Sequence, residues 1–297
     1  MEELLRFENV SFAYEEGREE YPALRGCSVT VSAGERIAVL GENGAGKSTF
    51  FLLANGVLRP WEGTVYFLGH PVGRRELNDL RRGVGLVFQD PDVQILGGTV
   101  EEEISFGPMN LRLPRQEVVR RVEAALEQLQ ITHLRARAPQ YLSGGEKKQI
   151  SIADVLAMEP RLLLLDEPAA SLDPRHRRIF EKTLTMLESW GMSLMVSTHD
   201  VDFAWRWAER VLVFRSGELA ADMPPETESC WRAAAWSSPS CSGPERRWGL
   251  SRSPGPWRNS RPPPACWPGR QKGRKGHEKS TAVCQLRDQC AGGPREH

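Results

Sequence analysis

The residues of this chain that are best suited to chemistry form a glycine-rich loop at residues 41–49, with the sequence GENGAGKST. An apolar run at residues 36–40 precedes the loop, and a helix-like run that begins at Ser48 continues from it. In such a segment, glycines let backbone N–H groups turn toward phosphate oxygens, and the helix presents its partly positive N-terminus to the same anion. Lys47 is then expected to reach the terminal phosphates, and the Ser48 hydroxyl to ligate Mg²⁺. The alternative is a glycine-rich turn without a ligand, but the complete motif in this context favours a nucleotide site.

Two adjacent carboxylates, Asp166 and Glu167, follow a run of four leucines at residues 162–165. Charged groups at the end of a buried strand cost free energy unless they meet a cation or take part in chemistry. We therefore expect Asp166 to belong to the ligand shell of a bound Mg²⁺, and Glu167 to polarise a water molecule for attack on phosphorus. The alternative role, in which one carboxylate only caps a helix, is disfavoured by the phosphate loop in the same chain.

Gln89 and His199 also follow apolar runs, at residues 84–88 and 193–198. Open parallel sheets bind ligands at the carboxyl ends of their strands. Gln89, Asp166 and His199 are therefore expected to lie at one edge of a sheet. A lone histidine is ordinarily structural or exposed to solvent, but the position of His199 at a strand end favours a functional role.

The elements that must position these side chains alternate between strand-like and helix-like patterns. Strands are predicted at residues 4–14, 29–31, 36–40, 64–67, 84–88, 162–165, 193–200, 211–214 and 218–220. Helices are predicted to begin at residues 48, 100, 114, 142 and 173. This alternation predicts an α/β fold with a helical insert at about residues 91–152.

The net charge of the chain is +0, but the charges divide unevenly along it. Residues 1–223 carry 26 Lys and Arg against 33 Asp and Glu, whereas residues 224–297 carry 13 against 6. The acidic body does not predict a surface for nucleic acid. The sequence has no apolar run of the roughly 18–20 residues that a membrane-spanning helix needs, and its acidic start is unlike a signal peptide. We therefore expect a cytosolic protein whose association with a membrane comes through a partner.

The segment after Met223 differs in composition from the body. It contains proline clusters, such as that at residues 262–264, and five scattered tryptophans without a sustained period. Its many Pro, Gly, Ser and Arg residues predict disorder. The chain is thus predicted to have one folded domain at 1–223 and a low-complexity tail at 224–297, which we interpret as an unrelated extension or the product of a frame change. The basic stretch at 270–279 is predicted to be solvated rather than bound to lipid or nucleic acid.

Seven features, in this order along the chain, resemble those of the ATP-binding cassette (ABC) ATPases. They are Tyr14, the loop at 41–49, Gln89, the LSGG turn at 142–145, the strand and carboxylates at 162–167, the SLD turn at 171–173, and His199. The resemblance covers residues 4 to about 222. It implies a P-loop NTPase fold with a RecA-like core, an antiparallel β edge from the N-terminal strands and a helical ABC subdomain. It further implies binding of ATP and Mg²⁺ and hydrolysis of ATP.

The resemblance also implies roles for individual residues around the nucleotide. Tyr14 would stack on adenine, and Glu167 would be the general base. Gln89 would contact Mg²⁺ and the attacking water, and His199 would touch the γ-phosphate. Mg²⁺ would be held by Ser48, Gln89 and Asp166. The rest of the ATP would be bound by Gly41, Asn43, Gly44, Ala45, Gly46, Lys47, Ser48 and Thr49.

In this family two cassettes face each other, so a single cassette does not complete its own site. The nucleotide of the facing subunit would be bound by Ser143, Gly144 and Gly145, and Asp173 would couple the two subunits. ATP would hold the cassettes together, and hydrolysis would release them and lever a membrane partner. The second cassette would be another copy of this chain or a paralogue.

Shorter stretches at 87–92, 105–111, 156–160 and 197–204 resemble the energy-coupling-factor ATPases of prokaryotic micronutrient importers. The last stretch, together with residues 207–210, is most similar to the cobalt and nickel branch. This implies integral membrane partners, an energy-coupling subunit and a substrate-binding subunit, and no nucleic acid partner. The chain would then lie peripherally on the cytoplasmic face of the inner cell membrane and power the uptake of cobalt or nickel, which a separate membrane protein would bind.

Three alternatives remain open at this point. The importer could carry a vitamin instead of a metal, or the chain could be a soluble cassette that acts on nucleic acid or ribosomes. Against the soluble cassette, only 119 residues separate Lys47 from Asp166, which leaves no room for the long coiled coils of repair ATPases. The chain could also bind ATP without hydrolysing it, because Glu146 and Gln149 depart from the usual Gln and basic residue of the signature helix. The residues of the active site itself show no such departure.

Overall fold

The computed structural model describes residues 2–14, 22–170 and 172–225 of the chain. Ser171 and the predicted turn at 15–20 lie outside the described residues, as does the predicted tail apart from Pro224 and Pro225. The described residues form two β-sheets and eight α-helices. None of the helices in this part of the chain is long and apolar enough to span a bilayer.

Ten strands divide between the two sheets. They are β1 (Glu3–Phe12), β2 (Leu24–Ser32), β3 (Arg36–Leu40), β4 (Glu62–Phe67), β5 (His70–Pro71), β6 (Val84–Val87), β7 (Leu162–Leu165), β8 (Ser193–Ser197), β9 (Arg210–Arg215) and β10 (Glu218–Met223). The larger sheet has the order β10-β9-β3-β8-β7-β6, and all of its neighbours are parallel except β10 and β9. Strands β6, β7 and β8 are buried along their whole length, which explains why their sequences are apolar runs rather than alternating patterns.

The smaller sheet is antiparallel, with the order β2-β1-β4-β5. The predicted α/β class with antiparallel strands from the N-terminal region is confirmed, and these strands form a sheet of their own. The predicted strand at 193–200 is too long, because β8 ends at Ser197. Beyond it, the Thr198 hydroxyl accepts a hydrogen bond from the backbone N–H of Asp200 at 3.0 Å, and this turn stops the strand.

The helices in chain order are α1 (Lys47–Ala54), α2 (Leu77–Gly83), α3 (Pro91–Gln94), α4 (Val100–Asn110), α5 (Arg115–Gln128), α6 (Gly144–Leu156), α7 (Pro174–Ser189) and α8 (Val201–Trp207). Helices α3 to α6 lie between β6 and β7 in the chain, in the region of the predicted helical insert. The amphipathic stripe of α5 is buried, as its spacing predicts for a packing surface.

Helix α1 packs between the two sheets and thereby fixes the loop that precedes it. The Phe50 ring lies 4.8 Å from the ring of Phe7 in β1 and 5.1 Å from that of Phe214 in β9, measured between centroids. All three side chains are buried. Burial of a phenylalanine contributes about 1.5–3 kcal/mol, so this contact holds the N-terminus of α1 against both sheets.

Candidate functional site

The glycine-rich loop at residues 41–46 joins β3 to α1 and depends on glycine at two close approaches. Gly41 has a φ of 150°, and a Cβ on it would lie 2.4 Å from the carbonyl oxygen of Phe214. Gly46 has a φ of 105°, and a Cβ there would lie 2.8 Å from the carbonyl oxygen of Ala23. These are backbone conformations and distances that other residues rarely tolerate. The fold therefore fixes the loop as a tight turn at the N-terminus of α1, with residues 42–44 exposed.

Lys47, the first residue of α1, is buried beneath this loop. Its ammonium group donates hydrogen bonds to the carbonyl oxygens of Gly41 and Glu42, at 2.8 and 3.2 Å. The Nζ atom also lies 3.4 Å from Oε1 of Glu167, which forms an ion pair with little exposure. The phosphate-binding lysine and the predicted base thus come together, although they are 120 residues apart in the chain.

A pocket of about 390 Å³ contains most of the residues that the sequence predicts to bind ATP. It is lined by Tyr14, Ala23, the loop at residues 42–49, Gln89 and Glu167. The Tyr14 ring is 62% exposed, and its hydroxyl is hydrogen bonded to the Thr49 hydroxyl at 3.1 Å. Tyr14 is therefore held at the pocket by its polar end while a face of its ring remains open for stacking.

The carboxyl ends of β7 and β8 bring Asp166, Glu167 and His199 together. Glu167 has a φ of 41°, an uncommon conformation for a residue with a side chain, and its N–H donates to the Ser197 hydroxyl at 2.8 Å. Nδ1 of His199 lies 2.9 Å from Oε2 of Glu167. His199 itself is exposed and lines an adjoining cavity rather than the pocket.

Sequence reasoning missed Ser197, which organises this edge. Its buried hydroxyl donates to Oδ1 of Asp166 at 2.5 Å while it accepts the N–H of Glu167, so one side chain orients both carboxylates. The signal was present as a polar residue within an apolar strand, two positions before His199. Its role depends on β8 pairing with β7, which sequence spacing alone does not fix.

The residues at the pocket fit a nucleotide with Mg²⁺. Oε1 of Glu167 is buried and accepts no hydrogen bond from the described residues; its one close polar neighbour among them is Lys47 Nζ at 3.4 Å, so the acceptor becomes available to a ligand when the lysine turns to a phosphate. Ser48 and Gln89 are both exposed and both line the pocket, whereas Asp166 is buried at the neighbouring strand end and does not line it. Together the three residues offer hydroxyl, amide and carboxylate oxygens, which are the ligands Mg²⁺ prefers. The bound ion would neutralise charge on the phosphates.

The LSGG turn at residues 142–145, here called the signature turn, does not line this pocket. Ser143 caps α6 in a capping box with Glu146: the hydroxyl and backbone N–H of Ser143 donate to Oε2 of Glu146 at 2.7 and 2.8 Å. These hydrogen bonds hold the pKa of the Glu146 carboxyl below its usual range. Ser143 and Glu146 line a separate cavity of about 580 Å³, so the structure does not bring the signature turn to the loop of its own chain.

Gly144 is exposed in this turn, Gly145 is buried, and Asp173 lies immediately before α7 as its N-cap residue. Asp173 caps that helix by accepting the backbone N–H groups of Arg175 and His176, at 2.8 and 2.9 Å. Its Oδ2 lies 2.7 Å from Nδ1 of His176, whose ring packs on Gly145. Asp173 is therefore connected to the signature turn of its own chain through one histidine.

Lys148 is a second residue that sequence reasoning missed. It lies in α6, only 2% exposed, and its ammonium group donates to the carbonyl oxygens of Phe88 and Gln89 at 2.8 and 2.7 Å. Burial lowers the pKa of this ammonium group to about 8. The sequence did not indicate that this lysine is buried, because it lies among other charged residues of the helix. Its hydrogen-bond partners are backbone carbonyl groups 59 and 60 residues away in the chain. It ties the signature helix to the strand end that carries Gln89.

Comparison with known proteins agrees with this geometry. A family model described as ABC transporter matches residues 24–170. The energy-coupling factor transporter ATP-binding protein EcfA of Methanothermobacter thermautotrophicus is 46% identical over 224 residues, which are 75% of this chain and 71% of that protein. The protein of the same name from Methanocaldococcus jannaschii is 41% identical over 225 residues, covering 75% of this chain and 80% of the relative.

Two solved structures are similar to this chain. CbiO1 of Clostridium perfringens, described as part of the ABC transporter complex CbiONQ, has a TM-score of 0.68 with 36% identity, covering 78% of this chain and 95% of CbiO1. A dimeric ATP-binding cassette in a post-hydrolysis state bound to ADP and Pi has a TM-score of 0.67 with 27% identity, covering 75% and 99%. The chain belongs to the ABC transporter ATPases, and it is similar to ATP-binding proteins of energy-coupling factor transporters.

Proposed function

We propose that the chain hydrolyses ATP between two cassettes to drive an energy-coupling factor importer for a transition metal ion, cobalt or nickel. The observation that carries the ATPase part is the pocket in which Lys47 and Glu167 meet beneath the phosphate loop. A buried lysine at the N-terminus of α1, beneath the glycine-rich loop, suits phosphate, and an adjacent carboxylate suits a general base.

The catalytic roles follow from this geometry. Glu167 takes a proton from the attacking water, and His199, which contacts the same carboxylate, keeps it oriented and reaches the γ-phosphate. Lys47 moves from the loop carbonyl oxygens to the phosphates, where it balances charge in the transition state. Ser48, Gln89 and Asp166 would hold Mg²⁺, which would neutralise charge on the phosphates when bound.

The position of the signature turn supports a pair of cassettes. Ser143 and Gly145 lie outside the pocket of their own chain, so they are available to the nucleotide of a second cassette. That cassette is a second copy of this chain or a paralogue. Asp173, at the start of α7, couples the two.

An exposed apolar surface on the helical insert supports a membrane partner. It consists of four side chains on α3, on α4 and between them, each more than half exposed: Val93, Leu96, Phe106 and Met109. Apolar side chains of this size at the surface of one region typically mark a protein interface. We assign this surface to the integral membrane energy-coupling subunit, which would hold the chain on the cytoplasmic face of the inner cell membrane.

The metal substrate is supported by similarity alone. The stretch at 197–204 resembles the cobalt and nickel branch, and CbiO1 of Clostridium perfringens has a similar fold at 36% identity. The second candidate, a vitamin importer, is supported by the shared energy-coupling factor relatives, whose names state no substrate. The substrate would be bound by a membrane subunit in either case.

The test is uptake by the purified complex in vesicles, with radioactive Co²⁺, Ni²⁺ and a panel of vitamins supplied separately. We expect ATP-dependent uptake of Co²⁺ or Ni²⁺, and we expect Glu167→Gln to lower ATP turnover by about 100-fold or more while ATP still binds. Uptake of a vitamin without metal uptake would contradict the metal assignment. Turnover unchanged by Glu167→Gln would contradict the catalytic assignment.

The membrane contact has its own test. Phe106→Asp should abolish co-purification with the membrane subunit and leave ATP binding unchanged. Val119→Asp, which alters an apolar side chain exposed on α5, is the matched control and should leave co-purification intact. Equal loss with both variants would show that the effect is not specific to the proposed surface.

A further inference from the structure

The first turn of α7 contacts the signature turn through His176. The ring is held on one edge by Asp173, with Nδ1 and Oδ2 2.7 Å apart. The opposite edge lies over Gly145, where an ideal Cβ would be 2.0 Å from Cδ2 of His176. The ring thus fills the space that the missing side chain of Gly145 leaves, and it transmits the position of α7 to the signature turn.

The next residue, Arg177, contacts the loop that carries His199. Its guanidinium group donates to Oδ2 of Asp200, and both side chains are half-buried. Asp200 in turn caps α8 by accepting the N–H of Phe203 at 2.8 Å. Because Asp200 directly follows His199, Arg177 fixes the backbone from which the histidine reaches Glu167.

Two successive side chains of one helical turn therefore reach two different functional elements. Neighbouring residues of an α-helix point about 100° apart, which allows this turn to reach in both directions. Its backbone is held by the cap at Asp173, whose carbonyl oxygen also accepts the N–H of Arg177 at 2.9 Å. Capped in this way, the turn carries a displacement at one contact to the other.

We infer that His176 and Arg177 are positioning residues that couple the two ATP sites of a cassette pair. The inference rests on the proposed pairing, in which His199 faces the chain's own ATP and the signature turn faces the ATP of its partner. Loss of the γ-phosphate at His199 shifts the loop at Asp200, and Arg177, α7 and His176 pass the shift to Gly145. The nucleotide bound at one site thereby changes the position of the signature turn at the other site.

The test measures the Hill coefficient of ATP hydrolysis for the full chain in its purified complex. We expect the wild-type chain to show a Hill coefficient above one, and His176→Ala and Arg177→Ala each to lower it toward one. Binding of a fluorescent ATP analogue to the isolated chain should change by less than twofold, because neither side chain lines the pocket. The melting temperature of each variant shows whether it is folded.

Two further variants separate coupling from packing. His176→Asn retains a donor toward Asp173 and atoms near Gly145, so it should restore cooperativity that the alanine variant loses. Arg178→Ala alters an exposed side chain of the same turn and should leave the Hill coefficient unchanged. The double variant of His176 and Arg177 should be no less cooperative than either single variant, because both belong to one connection.

Other results would overturn either the inference or the proposed function. A wild-type Hill coefficient of one, or variants of His176 and Arg177 that keep wild-type cooperativity, would overturn the inference while ATP hydrolysis stands. A loss of cooperativity in Arg178→Ala as large as in Arg177→Ala would also overturn it. Absence of ATP turnover in the wild-type complex would instead overturn the proposed function.

Discussion

Replacing Gly145 with alanine would put a methyl group where the His176 ring already lies. The new Cβ would be 2.0 Å from Cδ2 and 2.2 Å from Cγ of that ring, so the ring must turn away or α6 must move. Turning the ring also breaks its contact with Asp173. Overpacking of this kind costs about 1–3 kcal/mol.

A helix otherwise favours alanine over glycine, by at most about 1 kcal/mol at a position such as this one near the helix start. In the wild-type background the overpacking exceeds this gain, so Gly145→Ala should lower the free energy of unfolding by about 1–2 kcal/mol. In a His176→Ala background the obstacle is absent. There, the same substitution should leave stability unchanged or raise it by up to about 1 kcal/mol.

Urea denaturation of the four chains of this double-mutant cycle, without nucleotide, measures the difference directly. We expect a coupling energy of about 1–3 kcal/mol between the two positions, with a shifted midpoint and an unchanged slope. If Gly145→Ala has the same effect on unfolding in both backgrounds, His176 does not pack on the signature turn.

Three further predictions concern single side chains. Glu146→Gln keeps the capping box at Ser143 but removes a negative charge from the face proposed to meet the γ-phosphate, so it should tighten ATP-dependent pairing about 3–10-fold. Lys148→Met removes both hydrogen bonds at Phe88 and Gln89, so kcat should fall about tenfold or more while ATP binding stays within about twofold. Asp154→Asn should stabilise the chain at pH 8 more than at pH 5, by about 1–3 kcal/mol in the free energy of unfolding.

The sign of the last prediction follows from burial. Burial, with a smaller contribution from Glu103, raises the pKa of the Asp154 carboxyl to about 7. The protonated form is therefore favoured in the folded chain, so its contribution to stability is complete below the unfolded pKa and is lost as the pH rises through about 7. Asparagine does not titrate, so its advantage should grow over this range and level off above it.

Each of these predictions has a matched control. Glu102→Gln alters the equivalent capping box of α4 and should not change pairing. Lys147→Met alters the neighbouring lysine, which pairs with Asp92 at the surface, and should leave kcat near the wild-type value. Asp79→Asn removes an exposed carboxylate and should show no such pH dependence. A control that behaves like its test variant would contradict the corresponding assignment. The assignment of Asp154 would also be contradicted if Asp154→Asn raised the free energy of unfolding by the same amount at pH 5 and at pH 8.

The parts of the site that sequence predicts best are those that local chain geometry determines. The loop at 41–49 is one continuous segment, and its glycines are required by φ values and by contacts at Gly41 and Gly46. Asp166 and Glu167 could be assigned to the site from the sequence, because carboxylates that follow a buried run of leucines need a cation or a chemical role at the strand end. The parallel order of β6, β7 and β8 then brings these segments to one edge.

The parts that sequence did not predict depend on contacts between distant segments. Ser197 orients Asp166 and Glu167 only because β8 pairs with β7, and Lys148 is buried only because α6 packs near the end of β6. In the sequence, His176 is one polar residue among the arginines that begin α7. Its proposed role depends on its contact with Gly145, which only the tertiary structure shows. No spacing within the sequence encodes these pairings, so tertiary structure was needed to find them.

Two cassettes are proposed to hold ATP between them, with the signature turn of each completing the site of the other. Light scattering after gel filtration of Glu167→Gln, with and without Mg²⁺ and ATP, measures this pairing. We expect a single chain of 33.3 kDa without nucleotide, twice that mass with ATP, and a return to the single chain when Ser143→Arg is added. A mass that ATP does not change, or an ATP-dependent dimer that Ser143→Arg leaves intact, would show that ATP is not shared between two cassettes in this way.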